Sequence, residues 1–466
     1  MRNSRFTSLL LAGATASAAL TVGAGPAVAA PSDPAAVAAP SDPSGVTGPA
    51  DPDGVTVPAD PDGVSASRGE QDVEVFAEDG AISRARVPAA SPFVAEPSMS
   101  AAAAGDGAVT KIVNNGGTDS KLDVVMIGDG YTAAEQEKFR KDAAAKWKDI
   151  SAVQPYAAYR KLFNVWAVGA VSAQSGVSGD PKQSTVRTTA LGSRFWCNSI
   201  ERLLCVDISA VDAYAAKAPQ ADLVIVVANT AKYGGAGYGS TRSPLGYEGI
   251  ATVAGGNAAS GQIAVHETGH SLGKLADEYV AEDQGPYQGA EPPQPNLTTL
   301  SADRMRKDKA KWYRWLGKAS PDGGNVGAYQ GGGNHPSGLN RPTDNSVMRS
   351  LGREFNLPGR EAMIAGFYRH ASTLTSATPT TTKLTATDRL TVDLPVSGTK
   401  LRWYLDGKEV TALRDRRTIA VADLGPTGPK PAAHELKAVA NDPTSAVVDP
   451  ALTPALTRAL VWSVTR

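Results

Sequence analysis

The sequence predicts an α+β or α/β domain, a mixed twisted sheet with helices packed on it, followed by a small all-β immunoglobulin-like sandwich. Three observations carry this. Strand-like and helix-like stretches alternate between residues 122 and 228, which sets helices against a sheet. Residues 372–383 are nearly all Ser, Thr, Ala and Pro, the composition of a linker. Beyond them, short apolar runs recur at regular spacing with turn signals between, as in a small sandwich. With 466 residues the chain can hold about two or three domains.

From the N-terminus, residues 1–30 read as an export signal. Arg2 and Arg5 give a positive start, residues 6–22 are apolar, and Ala27, Val28 and Ala29 offer a small-residue cleavage site. No later stretch approaches the ~20 apolar residues of a spanning helix, so no stable membrane insertion is expected. Residues 31–106 read as a disordered tether or pro-segment. A Pro-Asp-Gly unit repeats at 49–55 and 58–64, too polar to bury a core against chain entropy. Within it, residues 70–87 predict one hairpin with Glu78, Asp79 and Gly80 as its turn.

The main domain is expected at 107–371. Residues 122–127 form an apolar run with β-branched members, hence a buried strand. Thr132 and Glu135 suggest a capping box for a helix to about Ser151. Residues 164–171 and 222–228 predict two more strands. The glycines near Gly128 fit neither G-x-G-x-x-G nor a P-loop, so a nucleotide site is rejected. Cys197 and Cys205 are the two cysteines, and in an exported protein a pair suggests a disulfide. A straight helix would part them by about 12 Å, beyond the ~7 Å Cα limit, so a bond requires residues 198–204 to turn back.

Residues 233–252 are glycine-rich: either an exposed strand edge that takes an extended peptide, or a plain loop. Residues 303–316 predict a helix carrying Trp312 and Trp315. Residues 323–338 predict a glycine-rich loop containing His335, and 357–370 a closing helix with Pro358 in its first turn. After the linker, the sandwich is expected at 384–466. Strands are expected near 401–405, 408–411, 418–421, 436–439 and 459–464, with Asp406-Gly407 as a hairpin turn.

The densest chemistry lies at 265–279. His266 and His270 are two of five histidines in the chain, spaced i and i+4 with Glu267 between. On a helix they project from one face and can grip one Zn²⁺, while Glu267 can reach a water there. Ile263, Leu272 and Leu275 are apolar enough to bury that helix. A third donor is less direct. Ten residues past His266 stands Ala276, which cannot ligate; Asp277 follows, with Glu278 behind it. In an unbroken helix Asp277 would lie about 16 Å further along the axis. Either the helix stops near Gly273 and Asp277 folds back, or the ligand comes from elsewhere, with His335 as a fallback. Met348 reads as a methionine turn beneath the metal, a soft side chain for an irregular site. Residues 31–106 are then either a plain spacer or a latency segment that offers an aspartate to the zinc.

This run resembles the HExGHxxGxLxDEY signature of a metzincin-like family, the bacterial secreted zinc metallopeptidases named after an immunoglobulin A peptidase. Further matches are Ile127 to Tyr131, Phe163 to Trp166, Asn229 with Tyr233 to Gly235, and Arg341-Pro342 leading to Ser346 to Arg349. The resemblance spans roughly 107–370. It implies a metzincin-like catalytic domain, His266, His270 and Asp277 as metal ligands, and Glu267 as the catalytic acid–base group. It does not imply that immunoglobulin is the substrate.

The formal net charge of −1 gives no field that would favour nucleic acid. The expectation is a secreted, monomeric zinc-dependent endopeptidase acting on protein or peptide. The alternatives are a non-catalytic surface- or glycan-binding protein with a structural metal, and a zinc hydrolase of a cell-wall amide.

Overall fold

The computed structural model describes residues 70–88, 104–238, 243–281, 283–425 and 433–465. The expected export signal and the Pro-Asp-Gly repeats lie outside the described residues. Strands Glu70–Phe76 (β1) and Ile82–Pro88 (β2) pair antiparallel, Phe76 opposite Ile82. This is the hairpin the sequence predicts. Gly80 closes its turn at φ +89°, a left-handed angle that suits glycine.

Ala108–Val113 (β3), Leu122–Asp129 (β4), Phe163–Gly169 (β5), Leu223–Ala228 (β6), Gly235–Tyr238 (β7) and Ile250–Ala254 (β8) form one sheet in the order β3-β5-β4-β6-β8-β7. The four inner strands run parallel, and β3 and β7 are antiparallel edges. Every residue of β4, β6 and β8 is buried. That explains their continuous apolar runs: helices cover both faces. On one face Val124, Met126 and Ile225 pack with Phe139, Ala143 and Trp147 of Gln136–Ile150 (α1). On the other Val125, Ile127 and Val224 pack with Val211 and Ala215. A short helix Tyr156–Tyr159 (α2) precedes β5, and Ile208–Ala215 (α3) supplies those last two residues. Glu135 reaches back to accept the Thr132 backbone N–H and hydroxyl, both at 2.9 Å. Asn164 and the Trp166 indole both donate to Asp123, at 3.0 and 2.6 Å, tying β5 to β4.

Cys197 and Cys205 are disulfide-bonded with Cα atoms 6.2 Å apart. The chain between them turns back, with Asn198 and Ser199 at positive φ.

Helix Gly261–Gly273 (α4) lies on the α1 face of the sheet, burying Ala264, Val265 and Leu272 there. The helix expected at 303–316 is shorter: Ala302–Asp308 (α5) ends at Lys309, which turns left-handed at φ 53°. Trp312 and Trp315 follow in irregular chain and are buried, their indoles donating to Gly327 O and to Glu361. The glycine-rich loop also differs from expectation, because Tyr329–Gly332 (β9) and His335–Arg341 (β10) form a hairpin. Positive φ at Gly331, Gly332 and Gly333 lets that chain reverse. The closing helix Leu357–His370 (α6) is where the sequence places it, with Asn356 capping the Gly359 N–H at 2.8 Å.

Thr375–Ser376 (β11), Lys383–Thr385 (β12), Arg389–Asp393 (β13), Lys400–Leu405 (β14), Lys408–Glu409 (β15), Thr418–Ala420 (β16), Ala433–Asn441 (β17) and Thr457–Thr465 (β18) follow. Part of the expected linker is thus strand. A three-stranded sheet, β11-β13-β16, and a five-stranded sheet, β12-β18-β17-β14-β15, share a core of Leu390, Ile419, Trp403, Leu436 and Trp462. Asp406 and Gly407 both take positive φ, the demand of a two-residue hairpin turn. These strands dock on the sheet domain through buried polar contacts. Asp442 accepts from the Tyr159 and Tyr368 hydroxyls, each at 2.8 Å, and Glu361 accepts from Val448 N and Asp449 N.

Candidate metal centre and active site

Helix α4 carries His266, Glu267 and His270, and it stops where the 16 Å argument requires. Lys274 turns left-handed at φ 51°, and its N–H and that of Leu275 both return to Gly269 O. The residue in the left-handed turn is therefore Lys274 and not Gly273, which is the last helical residue. Glycine at 269 has a different reason: a Cβ there would sit 2.6 Å from Met348 Sδ. Met348 is buried, with its sulfur against Gly269 of the helix.

After the turn Asp277 folds back onto the histidine face. Its Oδ1 lies 3.5 Å from His266 Nε2 and 3.2 Å from His270 Nε2, and the two Nε2 atoms are 3.1 Å apart. Both Nδ1 atoms face carbonyls, Val347 O at 2.9 Å and Leu275 O at 2.7 Å. Carbonyls only accept, so each Nδ1 carries a proton and Nε2 is the nitrogen left to ligate. Two such nitrogens and a carboxylate oxygen converge. Tetrahedral donors about 2.0–2.2 Å from one ion stand about 3.3–3.5 Å apart, which these separations approach. Asp277 Oδ1 is buried and has no hydrogen-bond partner among the described residues. The donors present therefore fit a divalent ion.

A fourth carboxylate joins them. Glu74 of β1 brings Oε2 within 3.4 Å of His266 Nε2 and 3.8 Å of His270 Nε2, and donor atoms of all four residues lie within 4.8 Å of one another. Sequence reasoning missed Glu74. An acid alternating with Val73 and Val75 in a strand-like run is the signal that marks it, but nothing local ties it to a helix nearly two hundred residues on.

The charges interlock. Burial alone would lower the His270 imidazole, yet the Asp277 carboxylate, by charge and hydrogen bond and with Glu74 behind it, leaves it raised to about 10. Burial, then the Glu74 carboxylate, push the Glu267 carboxyl up to about 8 against the pull of the two imidazoles. A buried cluster of acids around two imidazoles draws positive charge, and a bound dication would bring the Glu267 carboxyl back down.

The loop holding Asp277 is fixed on both sides. Asn296 accepts from Ala276 N and donates to Ala276 O, each at 2.8 Å. Glu278, fully buried, accepts from Asn296, Ser346 and Asn356 at 2.7–3.0 Å, while its own N–H donates to Met348 O at 2.7 Å. Burial pushes its carboxyl up to about 7 despite those donors. The Asp277-Glu278-Tyr279 run thus divides its labour: a carboxylate among the converging donors, a buried tie to the Met348 loop, and a hydroxyl that donates to Glu74 Oε1 at 2.6 Å. His335 is outside the donor group. Its ring bonds Gly285 O at 2.8 Å and packs on Tyr287.

Glu267 is buried beside the donors but is not one of them, and its Oε1 has no hydrogen-bond partner among the described residues. Gly237 of edge strand β7 lies against it. A Cβ at 237 would overlap the Glu267 carboxylate. Gly237→Ala is expected to displace that carboxylate and lower kcat/KM at least about tenfold, since small misplacement of a reacting group is costly. The strand itself accepts alanine, so the melting temperature should stay near that of the parent chain. Unchanged turnover would show that Glu267 does not act from this position.

Residues 110–322 match the family model described as IgA Peptidase M64, a span that holds the two histidines, Glu267 and Asp277 and stops short of Met348. No curated protein matches the chain significantly.

Proposed function

The chain belongs to the IgA peptidase M64 family and is a peptidase, and from that premise we propose an exported zinc-dependent endopeptidase. His266, His270 and Asp277 hold the metal and Glu267 is its general base. One observation carries this reading: two imidazole Nε2 atoms and the Asp277 carboxylate meet at 3.1–3.5 Å, and beside them lies the buried Glu267 carboxyl, whose Oε1 has no hydrogen-bond partner among the described residues.

Zinc at these donors would supply Lewis acidity, polarising a peptide carbonyl and lowering the pKa of water. Glu267 then takes the proton of the attacking water and passes it to the leaving amine. Past Gly235, whose N–H and C=O pair with Arg202 and Leu204, edge strand β7 is where an extended substrate adds as a further strand. The division into a signal at 1–30, a pro-segment at 31–106, a catalytic domain at 107–371, a linker at 372–383 and an immunoglobulin-like sandwich at 384–466 belongs to the same proposal. So do secretion and a monomeric state. Among the described residues no helix is long and apolar enough to cross a membrane.

A structural metal is the rival that one observation favours, because Glu74 completes a four-donor set and structural zinc sites are closed. A closed structural site has no need of Glu267, which remains buried at the donors without ligating. The test is elemental analysis of the purified chain together with incubation on denatured protein and on cell wall, each with and without 1,10-phenanthroline. We expect about one zinc per chain, and protein cleavage that the chelator abolishes and added zinc restores. Zinc content should collapse in Asp277→Ala. Chelator-resistant cleavage would sink the zinc mechanism, and cell-wall hydrolysis alone would sink the substrate class.

A further inference from the structure

We propose that the β1–β2 hairpin is an internal inhibitor of this site, with Glu74 occupying the metal position and β1 the place of a substrate strand. This rests on the metallopeptidase reading above and deepens it to the regulation of the same centre.

Four observations bring the hairpin there. First, Glu74 points its carboxylate at the converging Nε2 atoms, and Tyr279 holds the other oxygen at 2.6 Å. A catalytic site keeps one metal position for water and substrate, and here a side chain of the chain itself fills that direction. Second, β1 lies against edge strand β7, and Val73 packs on the cluster of Cys197, Leu203 and Ala236. Gly235 of that strand is bonded to Arg202 O and Leu204 N, so the stretch from Ala236 to Tyr238 is the part an extended peptide would use. Third, Phe76 is 1% exposed, enclosed by Tyr233, Ile263, Tyr279 and Leu351, with its ring edge-on to His266 at 5.7 Å. It fills the apolar recess next to the metal donors as a substrate side chain would. Fourth, the turn is latched. Tyr233 donates its hydroxyl to Ala77 O at 3.1 Å, Leu351 N donates to Gly80 O at 2.8 Å, and Arg202 faces Glu78 at 3.6 Å.

The physical consequence is competition within one chain. A tethered carboxylate reaches the site at an effective concentration set by its linkage, without a bimolecular association cost. Substrate sees only the fraction of molecules whose hairpin is displaced, and its apparent affinity falls by that fraction. The hairpin lies N-terminal to β3 and outside the six-stranded sheet, so its release removes no strand of the catalytic scaffold.

The test compares the full chain with Glu74→Gln and Phe76→Ala. Gln keeps the shape of Glu74 but is a poor metal ligand, while Phe76→Ala weakens the apolar seat and leaves all four donor side chains in place. Each protein is loaded with Co²⁺ and titrated with acetohydroxamate, a small metal-binding probe, following the visible cobalt band. Cleavage of denatured protein by the zinc forms is measured in parallel. We expect the probe to bind at least tenfold more tightly to Glu74→Gln than to the parent chain, and kcat/KM to rise at least tenfold. Phe76→Ala should move both in the same direction. Hydrogen exchange at residues 70–88 should speed up when the parent chain is saturated with probe. Equal probe affinity and equal cleavage in all three proteins would overturn the latch and leave the peptidase reading intact. Loss of cobalt from Glu74→Gln alone would also overturn it, making Glu74 a resident ligand. Failure of every protein to take up cobalt would remove the peptidase reading and the latch together.

Discussion

Glu267→Gln is expected to keep its fold and its zinc and to lose turnover by about 10²–10⁴-fold, the range for removal of a positioned general base. Glutamine matches glutamate in shape, so the contact with Gly237 survives and the buried volume stays filled. What disappears is the ability to take a proton. Glu267 is not among the converging donors, so metal content should be unchanged. The three readouts separate the cases. A fall in kcat with zinc and melting temperature preserved supports the role assigned here. A fall accompanied by lost zinc would make Glu267 a ligand. A variant that cleaves denatured protein at the parental rate would refute the mechanism.

Asp129→Ala is expected to cost on the order of 3–5 kcal/mol in stability, the largest effect we foresee away from the centre. Asp129 ends β4 and is fully buried. Its Oδ1 accepts from the Ser172 hydroxyl at 3.1 Å and from Leu191 N at 2.9 Å, and its Oδ2 from the Thr189 hydroxyl and Ser193 N, each at 2.9 Å. Alanine leaves four donors facing an emptied pocket. Asp129→Asn should also destabilise, because its amide N–H₂ must point at two donors whichever way it is turned. Urea melts of the three proteins check this, and a loss below about 1 kcal/mol in Asp129→Ala would show that water replaces the carboxylate at little cost. The glycines on either side share the purpose. A Cβ at Gly128 would strike the Phe139 ring, and one at Gly130, itself at φ +76°, would overlap Gly176 O. The Ile127 to Tyr131 run is thus a sheet-to-loop knot.

Much of the architecture was open to reading from the chain alone. Apolar, β-branched stretches at 122–127 and 222–228 mark strands, and the Asp406-Gly407 pair marks its own turn. The hairpin at 70–88 was also visible, from alternation around a Glu-Asp-Gly turn. The length of the helix near 303 was not. Its charged pattern continues past Asp308, but Lys309 and Lys311 both turn left-handed and Trp312 and Trp315 are drawn inward to separate partners. Long-range burial overrode local propensity there. The strands at 329–341 were hidden for the opposite reason. Glycine-rich sequence carries little strand preference, and the pairing is made by the chain's reversal.

By itself the sequence determined the part of the centre that one helical turn can specify. His266 and His270 share a face because 3.6 residues make a turn, and Asp277 could join them only if the helix stopped. Only the tertiary structure decided what meets that face. Glu74 arrives from a hairpin far upstream, Gly237 clears room for Glu267, and Asn296, Ser346 and Asn356 hold the Asp277 loop through Glu278. Helical spacing is a property of neighbours along the chain. Convergence of separate strands depends on how the whole core packs, and no local pattern encodes it.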